Sequence, residues 1–322
     1  MRIAILLTTY NSEKYLAETL ESVTAQQRRP DEMLIVDDGS TDMTPVLIAE
    51  WAVRQSFPVN VVRNRLEHDL EAGRGPAAGR MTGLQTTQAE LVALLDHDDL
   101  LLPHHLRKLE QAFLDNPVLV LCFGDVRDFE TNPNEGRGYM RGKAVGRLRY
   151  TESKDGLRLI EGSLYTSLLF DGSYIPTAAN LWRRDAALAA GGFNPSAGTA
   201  DDALLWMRLS RVGPCAYYPE ILAAKRTHGE NLSHPRYVTR LAWNSRTAFA
   251  SMLEEPDRWR FNQEELEATR AAERRMSDEI LYHASREGLA ALEQARRRLN
   301  RPDVGLRRRL AAVYHGFRRQ SA

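Results

Sequence analysis

Three carboxylates and an imidazole follow one another in Asp96-His97-Asp98-Asp99, directly after the apolar run Leu91 to Leu95. Carboxylates this close raise one another's pKa unless a cation lies among them. Hard oxygen ligands at a strand end suit Mg²⁺ or Mn²⁺, which take one or two carboxylates and complete their shell with phosphate oxygens. Such an ion would neutralise a diphosphate leaving group as its bond to carbon breaks. The same acids, read without function, cap a helix near Pro103 and face solvent. A second acidic stretch, Asp37-Asp38-Gly39-Ser40-Thr41-Asp42, also admits two readings. It is a turn into a capped helix, or a strand end whose carboxylate accepts hydrogen bonds from a base or ribose. Trp182 and Trp206 are either stacking platforms for a sugar or core. Gly73-Arg74-Gly75-Pro76 has the glycine spacing of neither a P-loop nor a dinucleotide fingerprint and reads as a loop.

The elements that must position these groups are legible from periodicity. Ile3 to Leu7, Met33 to Val36, Val59 to Val62, Leu91 to Leu95 and Val118 to Phe123 are short apolar runs bounded by polar residues, Gly or Pro. Such runs predict strands buried on both faces. Between them, Leu16, Leu20 and Val23 share a helical face after an Asn11 or Ser12 cap. Leu106, Leu109 and Phe113 do the same after Pro103 in a first turn. Strand alternating with helix predicts an α/β fold with a mainly parallel sheet. Ligands then sit beyond the carboxyl ends of the strands, where Thr8-Thr9-Tyr10-Asn11 and both acidic stretches fall. From 126 to 180 the pattern fades, as expected of an insertion that builds a substrate surface. Leu205, Leu209 and Val212 mark a further helix and Cys215 to Ala224 a late strand. Beyond 235 the chain reads as helical.

Bulk properties exclude several classes. The 322 residues carry 43 Lys plus Arg against 43 Asp plus Glu, so charge points to no nucleic-acid partner. The two cysteines, Cys122 and Cys215, form no metal-binding or disulfide pattern and favour a reducing compartment. The N-terminal apolar stretch stops after Leu7 without a small-residue cleavage site, and no run approaches a membrane span. A cytoplasmic protein is expected.

In order along the chain, Thr8-Thr9-Tyr10-Asn11, Val36-Asp37-Asp38-Gly39-Ser40-Thr41-Asp42 and Leu95-Asp96-His97-Asp98-Asp99 resemble the signature of family 2 glycosyltransferases, of the GT-A fold. Gly191-Gly192-Phe193-Asn194 with Asp201-Asp202 and Leu205 to Leu209 resembles the acidic pair on that family's base-bearing helix. Arg226-Thr227-His228-Gly229-Glu230-Asn231-Leu232-Ser233 resembles its closing motif. The resemblance implies an inverting transfer from a nucleotide-sugar, most simply a UDP-sugar, to a hydroxyl of a glycan, lipid-linked or small-molecule acceptor. It implies that Thr8, Tyr10 and Asp38 hold base and ribose, and that Asp96 touches ribose or metal. Asp98 would bind Mn²⁺ or Mg²⁺ directly, with Asp99 helping through water and His228 completing the metal or diphosphate site. Asp202 would be the general base. Two departures stand out. Asp201 replaces the family's usual Glu, which bears on acceptor contacts. Met81 follows Arg80 where Asn is usual, which bears on a donor contact, while Arg80 remains able to pair with phosphate.

These readings divide the chain into a GT-A domain over 1–234 and a helical extension over 235–322. A sugar-1-phosphate nucleotidyltransferase would need a Gly-rich loop after the first strand, which Thr8 to Ser12 lacks. A catalytically idle scaffold or glycan-binding subunit has no need of so costly a cluster of acids. The extension ends in an arginine-rich stretch with Leu299, Leu306, Leu310, Val313 and Phe317 interspersed. That stretch reads either as a basic amphipathic helix on an anionic membrane or as a helix packed on the domain or on a second subunit.

Overall fold

The computed structural model describes residues 1–63, 76–130, 132 and 134–320. Gly73-Arg74-Gly75 therefore lies outside the described residues. The chain divides into two compact units, Met1–Gly229 and Glu230–Ala322.

In the first unit, β1 (Ile3–Thr9), α1 (Leu16–Thr24), β2 (Glu32–Asp37), α2 (Thr44–Ala52), β3 (Val59–Arg63), α3 (Pro76–Thr86) and β4 (Leu91–Asp96) alternate as the periodicity predicts. A two-residue β5 (Leu100–Leu101), α4 (His105–Asp115) and β6 (Leu121–Phe129) follow. Next come β7 (Arg149–Glu152), β8 (Arg158–Glu161), α5 (Leu164–Asp171), β9 (Asn180–Arg183), α6 (Arg184–Ala189), α7 (Asp201–Val212) and β10 (Cys215–Arg226). The sheet order is β3-β2-β1-β4-β9-β6-β10-β8-β7, with β5 paired to β10. Strands β1 to β4 pair in parallel. Strand β9 runs antiparallel between β4 and β6, and β10 returns parallel to β6. Because β1 is flanked by β2 on one side and β4 on the other, the chain reverses its direction of travel at β1. In open sheets of this kind a ligand crevice is expected at the carboxyl ends of the strands, at such a switch point.

Burial explains most of these elements. Every residue of β1 and β2 is buried, and Leu16, Leu20 and Val23 seal α1 onto the same core. Each such leucine contributes about 2 kcal/mol by leaving water. Strand β3 departs from expectation: it is the edge of the sheet, and its residues are half-buried or exposed. Strand β6 starts at Leu121 rather than Val118, which is exposed, and runs on to Phe129 because β10 pairs along it to Arg226. The expected caps also shift. Asn11, at φ 47°, accepts the Thr41 amide on its Oδ1, and α1 begins only after Tyr15. Helix α4 begins at His105, two residues past Pro103, and its Leu106 amide donates to Gln26 Oε1 at 3.1 Å, so the acids of 96–99 are not its cap. The region 126–180 holds a β7–β8 hairpin and α5 rather than a loose insertion. Trp182 and Trp206 are fully buried, which assigns both to the core.

The second unit shows helices and no strand among its described residues: α8 (Val238–Glu254), α9 (Pro256–Trp259), α10 (Gln263–Glu287), α11 (Leu289–Arg298) and α12 (Leu306–Gln320). Asn262 and Glu265 form a reciprocal capping box that starts α10. Its core gathers Ala242, Ile280, Leu281, Ala284, Leu292 and Leu299. Leu299 is thus a core residue, not part of the apolar face of the arginine-rich stretch.

Candidate active site

Strand register brings the three polar strand ends together. Thr8 on β1 lies beside Val36 on β2 and Asp96 on β4, and Thr9 lies beside Asp37. Helix α3 presses onto this edge through two glycines. A Cβ on Gly83 would sit 2.1 Å from Leu6 Cδ1, so only glycine permits the approach. A Cβ on Gly79 would fall 3.0 Å from Thr8 Cγ2 and 3.4 Å from the Asp38 carboxylate, which places Thr8, Asp38 and the start of α3 around one spot.

Each acidic stretch divides its labour. Asp37 accepts hydrogen bonds from the Ser40 amide (2.9 Å) and hydroxyl (2.6 Å), fixing the turn at Gly39, whose φ is 90°. Asp38, beyond it, is partly exposed at the edge beside Thr8. In the second stretch Asp99 is the structural member: it is buried and accepts the Arg226 amide at 2.9 Å. Burial and the adjacent Asp98 and Asp96 charges push the Asp99 carboxyl well above its usual range. A buried acid held by the backbone is poorly placed for the water-mediated metal contact expected of it. Asp98 Oδ2 lies 2.9 Å from His228 Nε2, so the closing motif does reach back to this stretch. Arg226 supports that approach by donating to the Asp98 carbonyl at 3.2 Å and to Glu18 at 2.6 Å, with its guanidinium over the Tyr15 ring. The same Tyr15 ring packs on His228 at 4.7 Å between centroids.

Arg80 joins the two sides of the crevice. It is 5% exposed and donates from Nη2 to Asp96 (2.7 Å) and from Nη1 to Asp201 (2.9 Å). Burial works against its charge, but Asp201 and Asp96 outweigh burial and keep the guanidinium ionised. In this structure those two carboxylates engage the guanidinium expected to pair with phosphate. Asp201 is fully buried, and its Oδ2 has no hydrogen-bond partner among the described residues. Burial pushes its carboxyl up to about 7, with Arg80 pulling the other way. A residue so enclosed does not face an acceptor, so the shorter side chain at 201 bears on packing and charge instead. Asp202, one step along α7, is partly exposed. Its Oδ2 accepts the Thr177 hydroxyl at 2.6 Å and its Oδ1 the Ala203 amide at 2.6 Å. Met81 packs on Gly192, where an added Cβ would meet its sulfur at 2.7 Å; at φ 60°, Gly192 is required on both counts.

Sequence reasoning missed Thr177 and Arg226 as site residues. Arg226 heads the closing motif, a signal that was available. Thr177 sits in the segment where periodicity is lost, and only the fold brings it to Asp202.

Comparison with known proteins completes this picture. The family described as Glycosyl transferase family 2 matches residues 4–172, more than half of the chain. An uncharacterized glycosyltransferase, YwdF of Bacillus subtilis, is 27% identical over 276 residues, covering 80% of this chain and 91% of that protein. Among solved structures, S. aureus TarS 1-349 in complex with UDP-GlcNAc has a TM-score of 0.60 at 17% identity, covering all of this chain and 92% of that one. The mannosyltransferase PcManGT from Pyrobaculum calidifontis, in complex with GDP-Man and Mn²⁺, has a TM-score of 0.56 at 18% identity, covering 93% of this chain and 79% of that one. The family match over more than half of the chain, with the likeness of fold, makes this chain a member of glycosyltransferase family 2, a glycosyltransferase with the GT-A fold.

Proposed function

We propose that the enzyme transfers a sugar from a UDP-sugar to a hydroxyl of a glycan, lipid-linked or small-molecule acceptor, with inversion at the anomeric carbon. The observation that carries this reading is the Arg80 bridge, which ties Asp96 on the strand edge to Asp201 beside Asp202. A donor side and a base side are thereby held in fixed relation. Thr8, Tyr10 and Asp38 line the part of the edge suited to base and ribose. Asp202 and His228 lie beyond the segment matched to the family, and geometry supports their inclusion.

A divalent ion suits the donor side. Asp96, Asp98 and Asp99 follow closely on one another, and the available ligands are carboxylate oxygens and one imidazole. Among the described residues no three His, Cys, Asp or Glu close into a metal cage. That openness suits an ion drawing its other ligands from diphosphate and water. Asp98 would hold Mn²⁺ or Mg²⁺, with Asp96 and His228 beside it, and the ion would supply charge neutralisation for the departing diphosphate. Asp202 takes the proton of the acceptor hydroxyl as it attacks. Thr177 and the Ala203 amide fix the orientation of that carboxylate. Incubation with a panel of UDP-, GDP- and dTDP-sugars, followed by nucleotide release and NMR of the product anomer, tests the reading. Inverted product from a UDP-sugar is expected. Retained configuration, or turnover confined to another nucleotide, contradicts it.

A further inference from the structure

In α12 the usual placement of residues is reversed. Its residues packed toward α10 and α11 include Arg308, His315 and the fully buried Ala312, with Arg308 donating to Asp278 at 3.2 Å. Its large apolar residues face outward instead. Leu306, Leu310, Val313 and Tyr314 are 71, 60, 36 and 54% exposed. At about 100° per residue these four share an arc of about 100°, centred opposite Arg308, Ala312 and His315. Scattered exposed leucines are ordinary, but an aligned row along one helix marks a surface that something covers.

The charge beside that row selects the occupant. Helix α12 contains five arginines, Arg307, Arg308, Arg309, Arg318 and Arg319, and no acid. Arg307 and Arg309 are exposed and fall on opposite flanks of the apolar arc, Arg309 also reaching the exposed Asp303 carboxylate at 3.1 Å. Apolar side chains on the midline with guanidinium groups on both sides match a helix lying in a bilayer interface, with the row below the phosphates and the arginines level with them. Tyr314, apolar in body and polar at its tip, suits the same depth. A second copy of this face would bring another Arg307 and Arg309 against these two, and like charges repel. No helix among the described residues is long and apolar enough to cross a membrane, so the contact lies along the surface.

We propose that α12 docks the enzyme on an anionic lipid surface, through Leu306, Leu310, Val313 and Tyr314 with Arg307 and Arg309 engaging lipid phosphates. Co-sedimentation of the full chain with vesicles tests this. One set is phosphatidylcholine alone and the other contains about 30% phosphatidylglycerol. The comparison protein is Leu310→Glu/Val313→Glu; both sites are exposed, so its fold is expected to hold, checked by circular dichroism. Arg307→Glu separates the charge contribution. We expect wild type to bind the anionic vesicles, at least about tenfold more weakly after the double substitution, and to release in about 0.5 M salt. Absent binding by wild type, equal binding by the folded double variant, or indifference to lipid charge would overturn the proposal. So would a dimer in analytical ultracentrifugation that Leu310→Glu abolishes while vesicle binding is absent, since a second copy would then own the face.

Discussion

The proposed donor side and the proposed base side of the crevice are built in different ways. On the donor side, adjacent parallel strands end in loops laced to one another through the backbone. The Asn11 amide donates to the Ser40 hydroxyl, Asn11 Oδ1 accepts the Thr41 amide, and the Ser12 amide donates to the Thr44 hydroxyl. Arg226 and His228 then brace the second acidic stretch from β10. On the base side, Asp202 sits on the first turn of α7 and is oriented by a single side-chain donor, Thr177. The first arrangement spreads positioning over many contacts, so no single loss is expected to collapse it. The second concentrates positioning in few, and Arg80 bonds to both Asp96 and Asp201.

That contrast can be broken at several points. The largest effect is expected from Asp202→Asn, which removes the proposed base and should lower kcat by about 10²- to 10⁴-fold while nucleotide binding stays within a few-fold. Steady-state kinetics with calorimetry on the same protein checks the split, and equal losses in both would merge the two sides. Next comes Arg80→Met, which strands a fully buried Asp201 and a partly exposed Asp96. Removing one partner from such a buried network costs about 3–5 kcal/mol, readable as a shifted urea midpoint. A shift under about 1 kcal/mol would show that Arg80 couples nothing. Thr177→Val leaves the Asp202 carboxylate in place but removes its side-chain donor, a charged hydrogen bond of about 1.5–3 kcal/mol. We expect kcat to fall roughly tenfold or more with donor affinity retained.

The smallest expected effect is a pH slope. Asp201 has a folded pKa of about 7, above the usual carboxylate value, so the native state holds a proton that the unfolded chain has released. Its contribution to stability is therefore largest at low pH and declines as pH rises toward 7. Asp201→Asn cannot lose that proton. Thermal midpoints from pH 5 to about 7.5 should fall more steeply in wild type than in the variant. Parallel curves would place the Asp201 pKa back in the ordinary range.

The two sides also differed in how far the sequence disclosed them. Donor-side residues follow apolar runs buried on both faces, and such runs announce both the strand and the loop at its end. The sequence could not separate members within each loop, because Asp37 differs from Asp38, and Asp99 from Asp98, only in partners that folding supplies. Base-side residues were reached through resemblance, since Asp202 alone reads equally well as a helix-start acid. Thr177 and the Arg80–Asp201 pair, 121 positions apart, depend on strand β9 inserting antiparallel beside β4. No local pattern encodes that insertion. For α12 the sequence left two readings open, because periodicity reveals an amphipathic helix but not which face it buries.

The most direct test of the account is calorimetric titration of UDP into the protein with and without Mn²⁺, on wild type and on Asp98→Ala. The account predicts metal-dependent binding in wild type that the substitution abolishes. UDP binding indifferent to both metal and Asp98, or absent altogether, would contradict it.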